Sequence, residues 1–187
     1  RRSEVQTIEL YRWRRSANDL TRVRLTVATN ATAISNYLGL TGSGVLVNVN
    51  DEGADIGHPD LSPRVHTEPG TSASATNNAG HGTHVIGTII SSGANSPTNS
   101  ASTNSSNYRG MASGASVLLM PFATNRVVGG QTNRIEVPDT YLQERAAISN
   151  AFISNNSWGF VDDPSYDIHA ASYDLAVRDA LPGISNS

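Results

Sequence analysis

The sequence predicts an α/β fold, a parallel sheet with helices on its faces, and three observations support it. Runs of β-type residues alternate with helical segments along the chain, the pattern of strand–helix–strand units. Apolar residues make up 37% of the 187 and charged residues only 16%, a balance that builds a core and is unlike that of a disordered chain. Sixteen glycines and eight prolines mark the many turns such a fold needs. The length suits one domain.

The elements follow in order. Val5 to Leu10 alternates apolar and polar side chains, the pattern of a short strand, and residues 16 to 38 are polar and weakly patterned. Gly42, Ser43 and Gly44 precede the first strong strand, Val45 to Val49, and further β-type runs occur at Ser116–Met120 and Ala151–Ser154. Between them, His81–Ile90 reads as a helix with Gly80 and Gly82 at its start. Pro138–Ser149 reads as a second, opened by Pro138 and Asp139. The third, Tyr166 to Leu181, has an apolar stripe at Ala170, Tyr173, Val177, Ala180 and Leu181, intervals that match the 3.6-residue period, and Pro182-Gly183 ends it. That helix needs a sheet to pack on, so the sheet is expected to be unfinished on its C-terminal side. Two polar stretches, Thr67–Asn78 and Ser91–Asn107, are too poor in apolar residues to offset the entropy of ordering and are expected as surface loops.

Composition removes several function classes. The formal net charge is −3, and the one basic group, Arg12, Arg14 and Arg15 around Trp13, reads as a solvated turn, so no nucleic-acid partner is expected. No cysteine is present, which leaves neither disulfides nor a thiol nucleophile. No apolar run approaches the ~20 residues of a membrane helix. The chain opens on Arg1-Arg2 without a signal-peptide pattern.

The chemistry gathers at two positions. Asp51 follows directly on the first strong strand, and in a parallel α/β sheet ligands and catalysis collect at the carboxyl ends of strands. His81 opens a helix after a glycine, at a rim with small neighbours. Either residue alone is compatible with an ordinary structural role. Together, in one strand–helix unit, the Asp can hydrogen-bond one ring nitrogen and leave the other to take a proton from a hydroxyl.

The residues around them resemble the subtilisin family of serine proteases. Val45 to Gly53 is similar to the strand that ends in the family's catalytic Asp; His58-Pro59-Asp60-Leu61 resembles its next landmark; His81 to Thr88 resembles its catalytic-His helix. Gly110 to Ala115 stands where the family has a Gly-Val-Ala-Pro-type turn, and Asn156-Ser157-Trp158-Gly159 resembles its substrate-binding strand. The resemblance covers roughly residues 42 to 180. It implies a three-layer α/β/α subtilisin-like fold, incomplete at the C-terminal side, with residues 1–15 a propeptide-like or linking segment and 16–187 the N-terminal part of the peptidase domain. It implies a serine endopeptidase acting through an acyl-enzyme, with Asp51 orienting His81, His81 as general base and then acid, and Ser157, Trp158 and Gly159 offering backbone to an extended polypeptide substrate. It implies a bacterial protein, secreted or at the cell surface, similar to the larger bacterial exoproteases.

Departures qualify this. Glu52 stands where the family has Ser or Thr; a second carboxylate pointing inward would raise the Asp51 pKa, whereas strand alternation equally allows it to face solvent. Ile86 replaces a small residue. No Gly-Thr-Ser-type motif follows Gly159, so the expected partner is the remainder of the peptidase domain carrying the catalytic Ser, and this chain alone is expected to be inactive. A catalytically inactive binding or scaffold domain is the alternative; a metal hydrolase using Asp51, His81 and His84 is a second, although zinc-protease helices place a Glu between histidines at wider spacing. No cofactor is expected. Several members bind a structural calcium at the position of Asp60, but calcium takes six to eight oxygens, and the loop that would supply the rest is replaced by Ser91–Asn107.

Overall fold

The structure is a computed structural model, describing residues 22, 25–26, 35–68, 80–98, 108–159 and 166–181. Residues 1–15, the Val5–Leu10 run, the Trp13 basic group, Pro182-Gly183 and most of both polar stretches lie outside the described residues.

Four strands form one parallel sheet in the order β2-β3-β1-β6. β1 is Leu46–Asp51, β2 Val65–Thr67, β3 Ser116–Pro121 and β6 Ile153–Asn156. β1 lies at the centre, with Val47 opposite Val117 on one side and Ile153 on the other. A central strand is buried on both faces, so it can carry no simple apolar–polar alternation, and from Val47 to Asp51 every residue of β1 is buried.

Helices cover the two faces. Helix α1, His81–Ile90, buries Gly82, Ile86 and Ile90, one side of the helix at intervals of four. Ile86 and Ile90 pack on Val47, Val49, Val117 and Leu119. Helix α2, Asp139–Ile148, packs Leu142 and Ala146 against Leu118 and Met120 on the opposite face. The result is the expected α/β/α layering, and Ile86 is not a misfit in it but a fully buried core residue.

Two boundaries move for identifiable reasons. Asn150 has φ 60°, and the Ala151 and Asn150 amides donate to the Ala146 and Ala147 carbonyls, the paired bonds that close a helix with a left-handed residue. Ala151 is therefore spent on the end of α2, and β6 starts at Ile153. Helix α3 runs Ile168–Arg178 because the Asp167 carboxylate accepts from the His169 and Ala170 amides, both at 2.9 Å, which fixes its start. None of its residues is buried, so the stripe read from the sequence finds no sheet face among the described residues.

One hairpin was not foreseen. β4, Ala123–Val128, and β5, Gln131–Glu136, pair antiparallel around Gly129-Gly130, both with positive φ, 61° and 79°. A two-residue turn of this kind needs left-handed backbone at both positions, which glycine supplies without a Cβ clash.

Candidate active site

The chain leaves β1 toward β2 and β3 on one side, and after β3 crosses to β6 on the other. The carboxyl ends of β1 and β3 therefore flank the point where the winding reverses, the place where an open α/β sheet leaves a crevice. Asp51 ends β1 there, opposite Pro121.

The Asp51 side chain is only 1% exposed, whereas that of His81 is 52% exposed. His81 Nδ1 lies 2.9 Å from Asp51 Oδ2 and 3.0 Å from Oδ1. A carboxylate only accepts, so Nδ1 carries the proton and, in the neutral ring, Nε2 holds the lone pair. The Glu52 amide donates to Asp51 Oδ1 at 2.8 Å, which further fixes the carboxylate. The arrangement can hold an imidazole in one tautomer and accept a proton on its exposed edge.

Local sequence makes this contact possible. A Cβ on Gly82 would stand 2.1 Å from the Gly53 carbonyl oxygen and 3.1 Å from Asp51 Cγ, so only glycine lets α1 approach the end of β1. The Asp55 amide donates to Thr83 Oγ1 at 2.9 Å, tying the loop after β1 to the same helix turn.

Glu52 does not crowd the pair. Its carboxylate accepts from Arg134 Nη1 at 3.0 Å, and Arg134 also donates to Glu136 at 2.9 Å and lies 5.2 Å above the Phe122 ring. These two carboxylates, Glu136 first, raise the Arg134 pKa. Glu52 thus ties the β4–β5 hairpin to the end of β1.

Beyond β6, Ser157 Oγ accepts from Asn155 Nδ2 at 2.8 Å. The Trp158 ring stands 5.5 Å from Phe122 and, edge-on, 6.1 Å from Tyr173. Around Gly159 nothing lies within 4 Å of where a Cβ would be. Glu52, Phe122, Trp158 and Gly159, which follow the ends of β1, β3 and β6, together line a cleft of about 530 Å³, along with Arg134, Asp139 and His169. His169 Nδ1 is 2.6 Å from Asp139 Oδ2, and that bond raises its pKa. Arg134 and His169 carry no motif; only the unregarded Gly129-Gly130 turn signal could have drawn attention to the hairpin that brings Arg134 here.

A row of buried amides joins the strands that carry the acid and the proposed substrate segment. Asn48 and Asn50 are 0% and 1% exposed. Asn48 Nδ2 donates to Asn50 Oδ1 and to the Leu118 carbonyl, and Asn50 Nδ2 donates to Asn156 Oδ1 at 2.7 Å. Ser154 Oγ donates to Asn48 Oδ1 at 2.9 Å, and Tyr173 donates to Asn156 at 3.2 Å. Each amide is satisfied, as burial demands.

The other candidate positions have different surroundings. Asp60 Oδ1 accepts from the Asn95 amide at 2.8 Å and its Oδ2 faces the Ser91 hydroxyl at 3.4 Å, so its carboxylate anchors residues 91–98. His84 lines a separate cavity. Among the described residues no three His, Asp or Glu side chains converge as metal ligands do, which leaves the Asp51, His81, His84 metal reading without a donor set.

Residues 42–181 match the model of the subtilase family. A subtilisin-like protease of Coccidioides posadasii (strain C735) is 46% identical over 56 residues, 29% of this chain and 14% of that protein. The structure of MycP1 with its N-terminal propeptide removed aligns with TM-score 0.47 and 22% identity, over 88% of this chain and 45% of that one. MycP1 from the ESX-1 type VII secretion system aligns at 0.43 and 19%, over 74% and 35%. The chain thus spans less than half of each protein it matches here.

Proposed function

The chain belongs to the subtilase family, and on that premise we propose that Asp51 and His81 are the acid and base of a serine endopeptidase whose nucleophile is supplied by the remainder of the peptidase domain. The observation that carries this reading is the 2.9 Å contact between a buried carboxylate and a half-exposed imidazole. In the proposed reaction His81 Nε2 takes the proton of a serine hydroxyl as its oxygen attacks a peptide carbonyl. The protonated ring then gives that proton to the departing amine, leaving an acyl-enzyme. Asp51 holds the tautomer and stabilises the imidazolium in between. Water, activated by the same nitrogen, releases the acyl group and restores the serine.

The substrate is a polypeptide lying extended along Ser157, Trp158 and Gly159, its backbone pairing with theirs. A location outside the cell or at its surface fits a protease of this family. A bacterial source gains no support, because the curated relative is fungal. No described helix is long and apolar enough to cross a membrane. The Glu52–Arg134 pair weakens the inactive-scaffold alternative, since it turns the unusual carboxylate away from Asp51.

The test is peptide hydrolysis and fluorophosphonate labelling of the full-length protein beside its Asp51→Asn and His81→Ala variants. We expect turnover to fall about 10⁴-fold in Asp51→Asn and about 10⁶-fold in His81→Ala, with little change in folding. Wild-type turnover in either variant overturns the assignment. Turnover by residues 1–187 alone overturns the placement of the nucleophile.

A further inference from the structure

One peptide unit joins Asp51 to Glu52, and both of its polar ends are held. Its carbonyl accepts from the Phe122 amide at 3.3 Å. Its N–H donates to Asp51 Oδ1 at 2.8 Å, the same oxygen that lies 3.0 Å from His81 Nδ1. On the reading of Asp51 and His81 as acid and base, we propose that Arg134 is a positioning residue: by gripping Glu52 and Phe122 together it fixes this peptide, and through it the carboxylate that His81 contacts.

The grip is made at three points. Arg134 Nη1 donates to Glu52 Oε1 at 3.0 Å and Nε donates to Glu136 Oε1 at 2.9 Å. The guanidinium carbon stands 5.2 Å from the centre of the Phe122 ring. Arg134 and Glu136 lie two residues apart on β5 and so share a face. Phe122 is also bonded to the root of the hairpin, its carbonyl accepting from the Val137 amide at 2.8 Å. Glu52, Phe122 and the hairpin are therefore held as one unit around the Asp51–Glu52 peptide. If that peptide turned, its N–H would leave Oδ1, and the carboxylate would be free to rotate away from the imidazole. Outer partners of this kind set the orientation of the groups they hold, and small misplacements in an active site cost rate.

The role calls for arginine. A planar guanidinium serves two carboxylates and an aromatic face at once, whereas an ammonium acts as a single point charge. The Arg134 and Glu52 side chains are 50% and 45% exposed, and ion pairs this open add little to global stability. Their effect is expected on alignment, not on folding.

The experiment compares the full-length protein with Arg134→Gln, Arg134→Lys and a control on the same face of β5, Thr132→Ala. Tm, the imidazole ¹⁵N shifts of His81 and peptide hydrolysis are followed. We expect Arg134→Gln to keep its Tm and to exchange the fixed Nδ1–H tautomer for a mixture. Its kcat should fall about 10–100-fold with KM within about twofold. Arg134→Lys should change in the same way, and Thr132→Ala should match wild type. Unmoved His81 shifts or an unchanged kcat in Arg134→Gln overturns the proposal. Full recovery in Arg134→Lys overturns it too, since charge alone would then suffice. A full-length protein without peptidase activity, whose His81 shifts still move in Arg134→Gln, overturns the protease reading and leaves the link from Arg134 to the Asp51–His81 contact standing.

Discussion

At Gly82 the backbone of α1 passes so close to the end of β1 that a single methyl group would overlap the Gly53 carbonyl oxygen. We predict that Gly82→Ala costs roughly 1–3 kcal/mol through forced backbone shifts and separates His81 from Asp51. Urea denaturation gives the first quantity. Imidazole ¹⁵N shifts give the second, since the variant should lose the fixed Nδ1–H tautomer. An unchanged midpoint together with an unchanged tautomer would remove the steric argument. Residue by residue, the site is only partly legible in sequence. Asp51 and His81 stand out because strand end and helix start are themselves readable, and their contact is what a strand–helix unit makes available. The orientation of Glu52 was not readable, because its partner Arg134 lies 82 positions away. Asn48 and Asn50 share a face by the two-residue period, yet nothing local says that this face is dry.

Between elements, the Asp139–His169 bond joins the first turn of α2 to the first turn of α3. Charges that act on or lie near His169 are Asp139, Asp167, Glu52, Glu136 and Arg134. Its pKa is raised chiefly by the bond to Asp139, so the folded state favours the protonated ring. That contribution is complete below the unfolded value of about 6.5 and is lost as pH rises through the higher folded value. We predict that wild type exceeds Asp139→Asn in stability at pH 5.5 and that the difference narrows toward alkaline pH. A difference independent of pH would show the bond to be energetically silent. The helices are legible because burial sets their period, and β1 and β3 because they are continuous β-type runs; β2, three residues long, is too short to leave such a signal. The hairpin was not, since all of β5 is exposed and solvent imposes no period; its one local signal is Gly129-Gly130. The shifted start of β6 likewise depends on the left-handed Asn150, a cap that apolar patterning does not register.

For the molecule as a whole, among the described residues, the two faces of the sheet are covered but the β6 side is not. Phe152 is 82% and Val177 88% exposed, and they flank an open groove of about 420 Å³ between α2, β6 and α3. Burying such side chains is worth roughly 1.5–3 kcal/mol each, and here that stabilisation is absent. We predict that residues 1–187 in isolation unfold over a broad range in calorimetry, with a calorimetric enthalpy that exceeds the van't Hoff value. A sharp, reversible transition would contradict this. The apolar stripe of α3 points to the same region in the sequence, although the order β2-β3-β1-β6 is not readable there. That order has a consequence for how the chain finds its shape. Synthesis proceeds from the amino end, so β1 and β3 exist before β6 has been made. Asn48 and Asn50 then wait as an address that Ser154 and Asn156 complete at one alignment. A strand docked two residues out would leave dry amides at about 1–3 kcal/mol each. Those side chains therefore favour one register over its neighbours.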